Sequence, residues 1–308
     1  MKALVTGGAG FIGSHTVDTL LAKAWEVVVL DNLSTGLAGN INPGAKFIKM
    51  DILSNDLLEV FRQEKFDYVV HLAAQTAVPY SMNHPDVDCR INVLGMVNVL
   101  EACRQTGVKR VAFASSAAVY GDAGALPIVE NTDLKPASFY GLSKHSGEKY
   151  LELYSKVHGL NYVVLRYANV YGERQGDGGE GGVISIFTRR IYQNQPVGIF
   201  GDGGQTRDFI YVGDVAEANY KSLIAPQAAV NRVYNVSTQT QTSVNDLVAI
   251  MAEAAGKQVE KVYLPAREGD IYHSMLSNQA ALNLLCWNPC MPLAEGLRRT
   301  YHSLKKTM

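Results

Sequence analysis

Seven residues near the start, Gly7-Gly8-Ala9-Gly10-Phe11-Ile12-Gly13, constrain this chain more than any other stretch. They follow an apolar run, Ala3-Leu4-Val5-Thr6, that reads as a short buried strand. They precede a helical pattern with Val17, Leu20 and Leu21 on one stripe. Gly7, Gly10 and Gly13 fit G-x-x-G-x-x-G, while Gly8, Gly10 and Gly13 fit G-x-G-x-x-G. Between a strand and a helix, such a turn lets backbone amides approach a pyrophosphate and aims a helix N-terminus at its charge.

Strands and helices then alternate. Glu26–Leu30 reads as a second strand ending at Asp31, about 20 residues after the turn, where an acid can accept hydrogen bonds from both hydroxyls of an adenosine ribose. An acid there repels a 2′-phosphate, and no Lys or Arg lies between Lys23 and Lys46 to offset it. The expected cofactor is therefore NAD rather than NADP. Lys46–Met50 gives a third strand ending at Asp51-Ile52, and Tyr68–Ala74 a fourth. Ile91–Cys103 reads as an amphipathic helix carrying polar Asn92, and Val111–Ala114 as a fifth strand running into Ser115-Ser116. This order predicts an α/β fold, a doubly wound parallel sheet with ligands at the strands' carboxyl ends.

The length of 308 residues suits one large domain plus a smaller one. We expect a dinucleotide-binding domain over 1–170 and a smaller, mixed substrate-binding region over 171–308, with a segment near 208–235 (read from Thr206–Val212 and a helix from Val215) returning to the main sheet. Lys plus Arg (28) nearly balances Asp plus Glu (29) without like-charge runs, so neither nucleic acid nor an anionic membrane is the expected partner. The glycine turn follows Met1–Val5 directly, and no apolar run approaches a membrane span; a soluble, cytoplasmic protein is expected. Cys89, Cys103, Cys286 and Cys290 lack four converging zinc ligands, so no metal is expected and all four are read as buried free thiols.

The chemistry-bearing residues come next in the chain. Ser116 falls at the ligand edge of the sheet. Tyr140 and Lys144 stand four apart, on one face of the following helix. An ammonium beside a phenol favours the phenolate, so Tyr140 is expected to titrate below its usual range and act as a general base. Tyr-x-x-x-Lys alone is common. Glycine turn, strand-end acid, strand-end serine and Tyr-x-x-x-Lys in this order make a site.

Six blocks carry a resemblance: Thr6–His15, Asp31-Asn32-Leu33, His71–Ala74, Ser116–Gly121, Tyr140–Lys144 and Leu165–Gly172. Together they resemble the extended short-chain dehydrogenase/reductase family and, within it, the UDP-glucose 4-epimerases. The resemblance implies NAD held by Gly7, Gly10, Phe11, Ile12, Gly13, Asp31, Asn32, Asp51, Ile52, Leu72, Ala73, Ala74, Gln75, Asn92, Tyr140, Lys144, Tyr167 and Val170. It implies a UDP-sugar held by Ser116, Tyr140, Asn169, Val183, Ile199, Phe200, Arg207, Arg267, Asp270 and Ser274. Some epimerases of the family carry a lysine where this chain has Gln75, which costs one charge near the cofactor phosphates. The family also implies a homodimer formed by the helices from Ile91 and from Tyr140, through Val93, Met96, Leu100, Leu151 and Tyr154.

Three functions stay open on sequence. The first is a sugar-nucleotide 4-epimerase. The second is a lyase of the same fold, a 4,6-dehydratase or UDP-glucuronate decarboxylase. Related dehydratases need an Asp-Glu pair after the strand-end hydroxyl, and this chain has Ala117 and Ala118. The third is a non-catalytic NAD-binding module, which would tolerate loss of Tyr140 or Lys144.

Overall fold

Side-chain alternation decides the layering. In the first strand Ala3 and Val5 enter one apolar core while Leu4 enters the opposite one, as a period of two requires. The inner strands of the sheet thus bury both faces, which is why these runs are almost purely apolar. The computed structural model describes residues 1–176, 182–267 and 271–307. Its strands are β1 (Lys2–Thr6), β2 (Glu26–Asp31), β3 (Lys46–Lys49), β4 (Tyr68–His71), β5 (Arg110–Ser116), β6 (Asn161–Tyr167) and β7 (Asn169–Tyr171), then β8 (Val197–Phe200), β9 (Thr206–Arg207), β10 (Phe209–Tyr211), β11 (Arg232–Val236), β12 (Thr242–Ser243) and β13 (Lys261–Leu264).

Seven of them form one parallel sheet in the order β11-β6-β5-β4-β1-β2-β3. One face is covered by the helices Phe11–Ala22 and Val212–Ile224, whose Val17, Leu20 and Leu223 meet Val5, Val29 and Ala112. The other is covered by Leu57–Glu64, Gly95–Thr106 and Phe139–His158, whose Phe61, Met96, Leu100 and Leu151 meet Leu4, Val69, Val111 and Phe113. The expected doubly wound parallel sheet is the fold. Strand order reverses at β1, opening a crevice between the carboxyl ends of β1 and β4.

Four details differ from the sequence reading. Phe209–Tyr211 does not enter the main sheet but pairs with Asn169–Tyr171; the chain returns through the helix Val212–Ile224 and β11, which pairs with β6. The helix read from Ile91 opens with a π-helical turn, Arg90–Leu94, and becomes α-helical at Gly95. Only Cys103 is a buried thiol; Cys89, Cys286 and Cys290 are exposed because they sit on loops or helix ends rather than on a packed stripe. Met96, Leu100 and Leu151 are fully buried in the chain's own core and offer nothing to a partner. The exposed large apolar residues along those helices are instead Leu94, Phe139, Leu142, Tyr150, Leu153 and Val157. Among the described residues no helix is long and apolar enough to cross a membrane.

A second core gathers Ile184, Phe187, Ile199, Phe209, Leu247 and Leu297. Around it lie the small pairs β7–β10, β8–β13 and β9–β12.

Candidate active site

Gly7 leaves β1 with φ +70, a conformation that suits glycine, and a Cβ there would lie 2.8 Å from the Ala73 amide nitrogen. The loops leaving β1 and β4 therefore touch at the mouth of the crevice. A Cβ on Gly13 would stand 2.1 Å from the Gly7 carbonyl oxygen, so the turn closes only with glycine there. The helix that follows has no side-chain cap and no acid in its first turn, which leaves its amides for an anion. Asp31 is buried at the end of β2; its carboxylate accepts from the Ala9 amide at 3.0 Å and the Leu33 amide at 2.8 Å. Asn32 donates to Asp51 at 2.8 Å, and Asp51 accepts from the Leu53 amide at 2.8 Å. Ile52 is buried against Gly95. Tight turn, open helix end and strand-end acid fit the pyrophosphate and ribose of NAD.

The wall from β4 is pinned by side chains. Thr6 Oγ1 accepts from the amides of Leu72 and Ala73 at 3.2 and 3.3 Å and contacts His71 Nδ1 at 2.8 Å. Ala74 follows in the same loop. Asn92, set inward by the π-helical turn, accepts from the Gln75 amide at 2.8 Å and donates to the Gln75 carbonyl at 2.9 Å. The Gln75 side chain is engaged with buried Asp88 at 3.2 Å and with the Ala77 carbonyl at 3.0 Å. Burial raises the Asp88 carboxyl above its ordinary range.

Tyr140 and Lys144 lie in the first two turns of Phe139–His158, a helix capped by Ser138 Oγ accepting from the Gly141 amide at 3.0 Å. Gly141 lets this helix touch the turn after Ser116, since a Cβ there would be 2.5 Å from the Ala118 carbonyl oxygen. Gly147 likewise seats it on Phe113, at 2.7 Å from a built Cβ. Ser116 Oγ accepts from the Ala118 amide at 3.2 Å and lies beside the Tyr140 phenol. Lys144 is buried, donates to the Ala114 carbonyl at 2.9 Å, and stands 5.8 Å from the centre of the Tyr140 ring.

The electrostatics correct one expectation. Burial of its hydroxyl end pushes Tyr140 up to about 12, although the residue as a whole is half-buried; the Ser116 hydroxyl pulls the other way and Asp88 pushes further up. Burial also brings Lys144 down to about 8. Desolvation outweighs charge attraction here because the ammonium is spent on Ala114 and lies over the ring rather than at the hydroxyl. The trio is assembled; the phenolate is not yet favoured.

The remaining site residues divide. Tyr167, buried, donates to Asn219 at 2.7 Å. Asn169 is exposed, its amide bonded to the Asp208 carbonyl at 2.9 Å, while Val170 and Val183 are half-buried beside the second core. Ile199 is fully buried in that core, so of the expected pair only Phe200 keeps an open face. The Arg267 guanidinium sits 3.8 Å over the Phe200 ring. Arg207 donates to the Thr206 carbonyl at 2.9 Å, and the Ser274 amide donates to that same carbonyl at 3.2 Å, which brings the two residues together. Asp270 lies outside the described residues. Among those described, no group of three or more His, Cys, Asp or Glu could hold a metal ion.

Two polar clusters escaped the sequence reading. Buried Asp208 accepts from Thr238, Gln239 and Leu276, tying the Arg207 and Ser274 segments to the exit of β11. Buried Glu148 and Arg166 pair beneath the catalytic helix. Their signal was visible: an acid one turn beyond Lys144, and an arginine inside the apolar run Val163–Tyr167.

Residues 3–237 match the model of the NAD dependent epimerase/dehydratase family. The chain belongs to that family. A Methanocaldococcus jannaschii protein provisionally named as a UDP-glucose 4-epimerase is 47 % identical over 303 residues, covering 98 % of each chain. Among solved structures, UDP-glucose 4-epimerase with UDP-glucose from Thermotoga maritima superposes with a TM-score of 0.96 at 42 % identity, covering 100 % of this chain and 99 % of that one. The UDP-N-acetylglucosamine 4-epimerase of Methanobrevibacter ruminantium, in complex with UDP-N-acetylmuramic acid, gives 0.95 at 36 % identity, covering 100 % and 99 %. Similarity to members of the NAD dependent epimerase/dehydratase family thus runs the full length of the chain, past the matched segment and through the Arg267–Ser274 region.

Proposed function

We propose that this chain epimerises UDP-hexoses at C4, interconverting UDP-glucose and UDP-galactose, with NAD as its resident cofactor. The observation that carries the reading is the convergence of Ser116, Tyr140 and Lys144 at the carboxyl end of β5, in the same parallel sheet whose first strand leads into the glycine turn. When bound, NAD supplies a two-electron acceptor and donor, so the sugar's C4 passes through a ketone and back. Ser116 holds the 4-oxygen. Tyr140 takes the 4-hydroxyl proton as the ketone forms and returns it as the alcohol reforms. Lys144 is the resident positive charge that favours the phenolate once the site is filled. Arg207 and Arg267 suit the diphosphate through their guanidinium forks, with Phe200 for the uracil and Asn169, Val183 and Asp270 completing the nucleotide contacts. Residues 171–308 serve the substrate, apart from the stretch Val212–Val236, which returns to the main sheet through a helix and β11.

A dehydratase reading lacks its proton carriers, and the same absence weighs less strongly against a decarboxylase. Ala117 and Ala118 occupy the turn after Ser116, and the backbone of Ala118 is covered by the start of the Tyr140 helix. Ser274 supports a wider sugar range: a hydroxymethyl in the substrate wall leaves room for a C2 N-acetyl group. The exposed stripe Leu142, Tyr150, Leu153 and Val157 supports a homodimer through this helix, and light scattering at the mass of two chains is the expected result.

Incubating the purified protein with UDP-glucose, UDP-galactose, UDP-N-acetylglucosamine and UDP-glucuronate, without added NAD, tests the reading. C4 epimers of the first three are expected. A 4-keto-6-deoxy sugar or a pentose would overturn it.

A further inference from the structure

Beneath the site lies a buried polar chain that the reaction does not use directly. Glu148 and Arg166 form a two-pronged pair, Nε to Oε1 at 2.9 Å and Nη2 to Oε2 at 2.6 Å, with side chains 6 % and 4 % exposed. The Ser115 hydroxyl donates to the same Oε1 at 2.5 Å. Arg166 reaches on to the Tyr120 hydroxyl at 2.9 Å and the Glu130 carbonyl at 3.0 Å, and Tyr120 donates to Asn235 at 2.6 Å.

Its three central members adjoin the site. Ser115 precedes Ser116, Glu148 is one helical turn beyond Lys144, and Arg166 precedes Tyr167 and is the register partner of Ser115. A buried ion pair is weak grounds for net stability, because desolvation offsets its attraction. Its directional bonds fix geometry instead, since each prong admits one helix position along the strand.

We propose that Glu148 is a positioning residue: through Ser115 and Arg166 it holds the helix carrying Tyr140 and Lys144 in register with the strand carrying Ser116. This rests on the 4-epimerase reading for its kinetic consequence, though not for its structural one. With the pair weakened, the phenol and the Ser116 hydroxyl drift apart by a fraction of an ångström while the nucleotide contacts, on other segments, stay in place.

Three variants and three readouts test it. Glu148→Gln should lower kcat roughly tenfold to hundredfold with KM for UDP-galactose changed less than about threefold. The double variant Glu148→Met/Arg166→Met removes both buried charges and should regain thermal stability while kcat stays at least about tenfold down. Glu148→Asp in the wild-type background should fall between wild type and Gln. Amide hydrogen exchange should quicken over 115–120 and 139–147 in both Met and Gln forms. Wild-type kcat in the double variant, or unchanged exchange in those segments, overturns the proposal. Should Glu148→Gln fail to fold, the double variant decides alone. Exchange reports the coupling whatever the reaction is, so absence of epimerase activity in the wild type would sink the functional reading and leave this test standing.

Discussion

Replacing Gly141 by alanine perturbs the site without touching a reacting group. A Cβ built there lies 2.5 Å from the Ala118 carbonyl oxygen and 3.1 Å from Pro136 Cβ. Ordinary contact begins near 3.4 Å, so the helix start must retreat from the Ser116 turn by about 0.9 Å. Neither neighbour is a flexible side-chain end that could move aside. The retreat carries Tyr140 away from Ser116, and a misplacement of about 1 Å costs on the order of 10²-fold in rate, or about 2.7 kcal/mol of barrier. Overpacking adds about 1–3 kcal/mol of destabilisation, offset in part by the roughly 1 kcal/mol that alanine gains over glycine within a helix. Steady-state kinetics on UDP-galactose, with a thermal melt and the bound NAD content, read all three quantities. The expected result is a folded, NAD-loaded protein with kcat down about a hundredfold. Gly39→Ala, where a Cβ meets nothing within 4 Å, serves as the control. A folded Gly141→Ala protein with kcat within twofold of wild type would refute the reasoning.

Tyr140→Phe removes the transferable proton and should cut turnover by roughly 10²–10⁴ while NAD content and substrate binding hold; near-normal turnover would move the base elsewhere. Ser274→Tyr should suppress turnover of UDP-N-acetylglucosamine and spare UDP-glucose, so equal loss on both, or none on either, would remove Ser274 as the gate. Burial lowers Lys144 from 10.5 to about 8, so between those values the unfolded chain binds more protons than the folded one, and this group makes stability rise with pH across that window. Denaturant titrations of the cofactor-free protein should therefore show wild type gaining roughly 2–3 kcal/mol on Lys144→Met from pH 8 to 10.5, and parallel curves would contradict the buried, depressed ammonium.

What was legible in the sequence is what local pattern decides. Gly7–Gly13, Asp31, Ser116, Tyr140 and Lys144 each sit at the end of an element whose period is plain, and a parallel sheet brings such ends to one edge. What stayed hidden depends on how elements meet. Ser115, Glu148 and Arg166 become partners only through the β5–β6 register and the seating of the helix on Phe113. Met96, Leu100 and Leu151 lie on a helical stripe, yet a stripe does not say whether it faces the sheet or a second chain. The Tyr140 titration failed for a related reason: spacing puts the lysine near the ring, whereas burial and the Ala114 carbonyl decide what the ammonium does. Strand β10 misled because three apolar residues, Phe209-Ile210-Tyr211, suit any buried strand, and only the fold chooses β7 as partner.

The most direct test of the account follows one hydrogen. UDP-glucose carrying deuterium at C4 is incubated with the purified protein, no NAD is added, and the product is read by NMR and mass spectrometry. Epimerisation through a 4-ketone within a closed site predicts UDP-galactose that keeps the deuterium at C4, with Tyr140→Phe slowing the exchange of configuration by roughly 10²–10⁴. Deuterium found at C6 of a deoxy sugar, deuterium washed into solvent, or no UDP-galactose formed at all would contradict it.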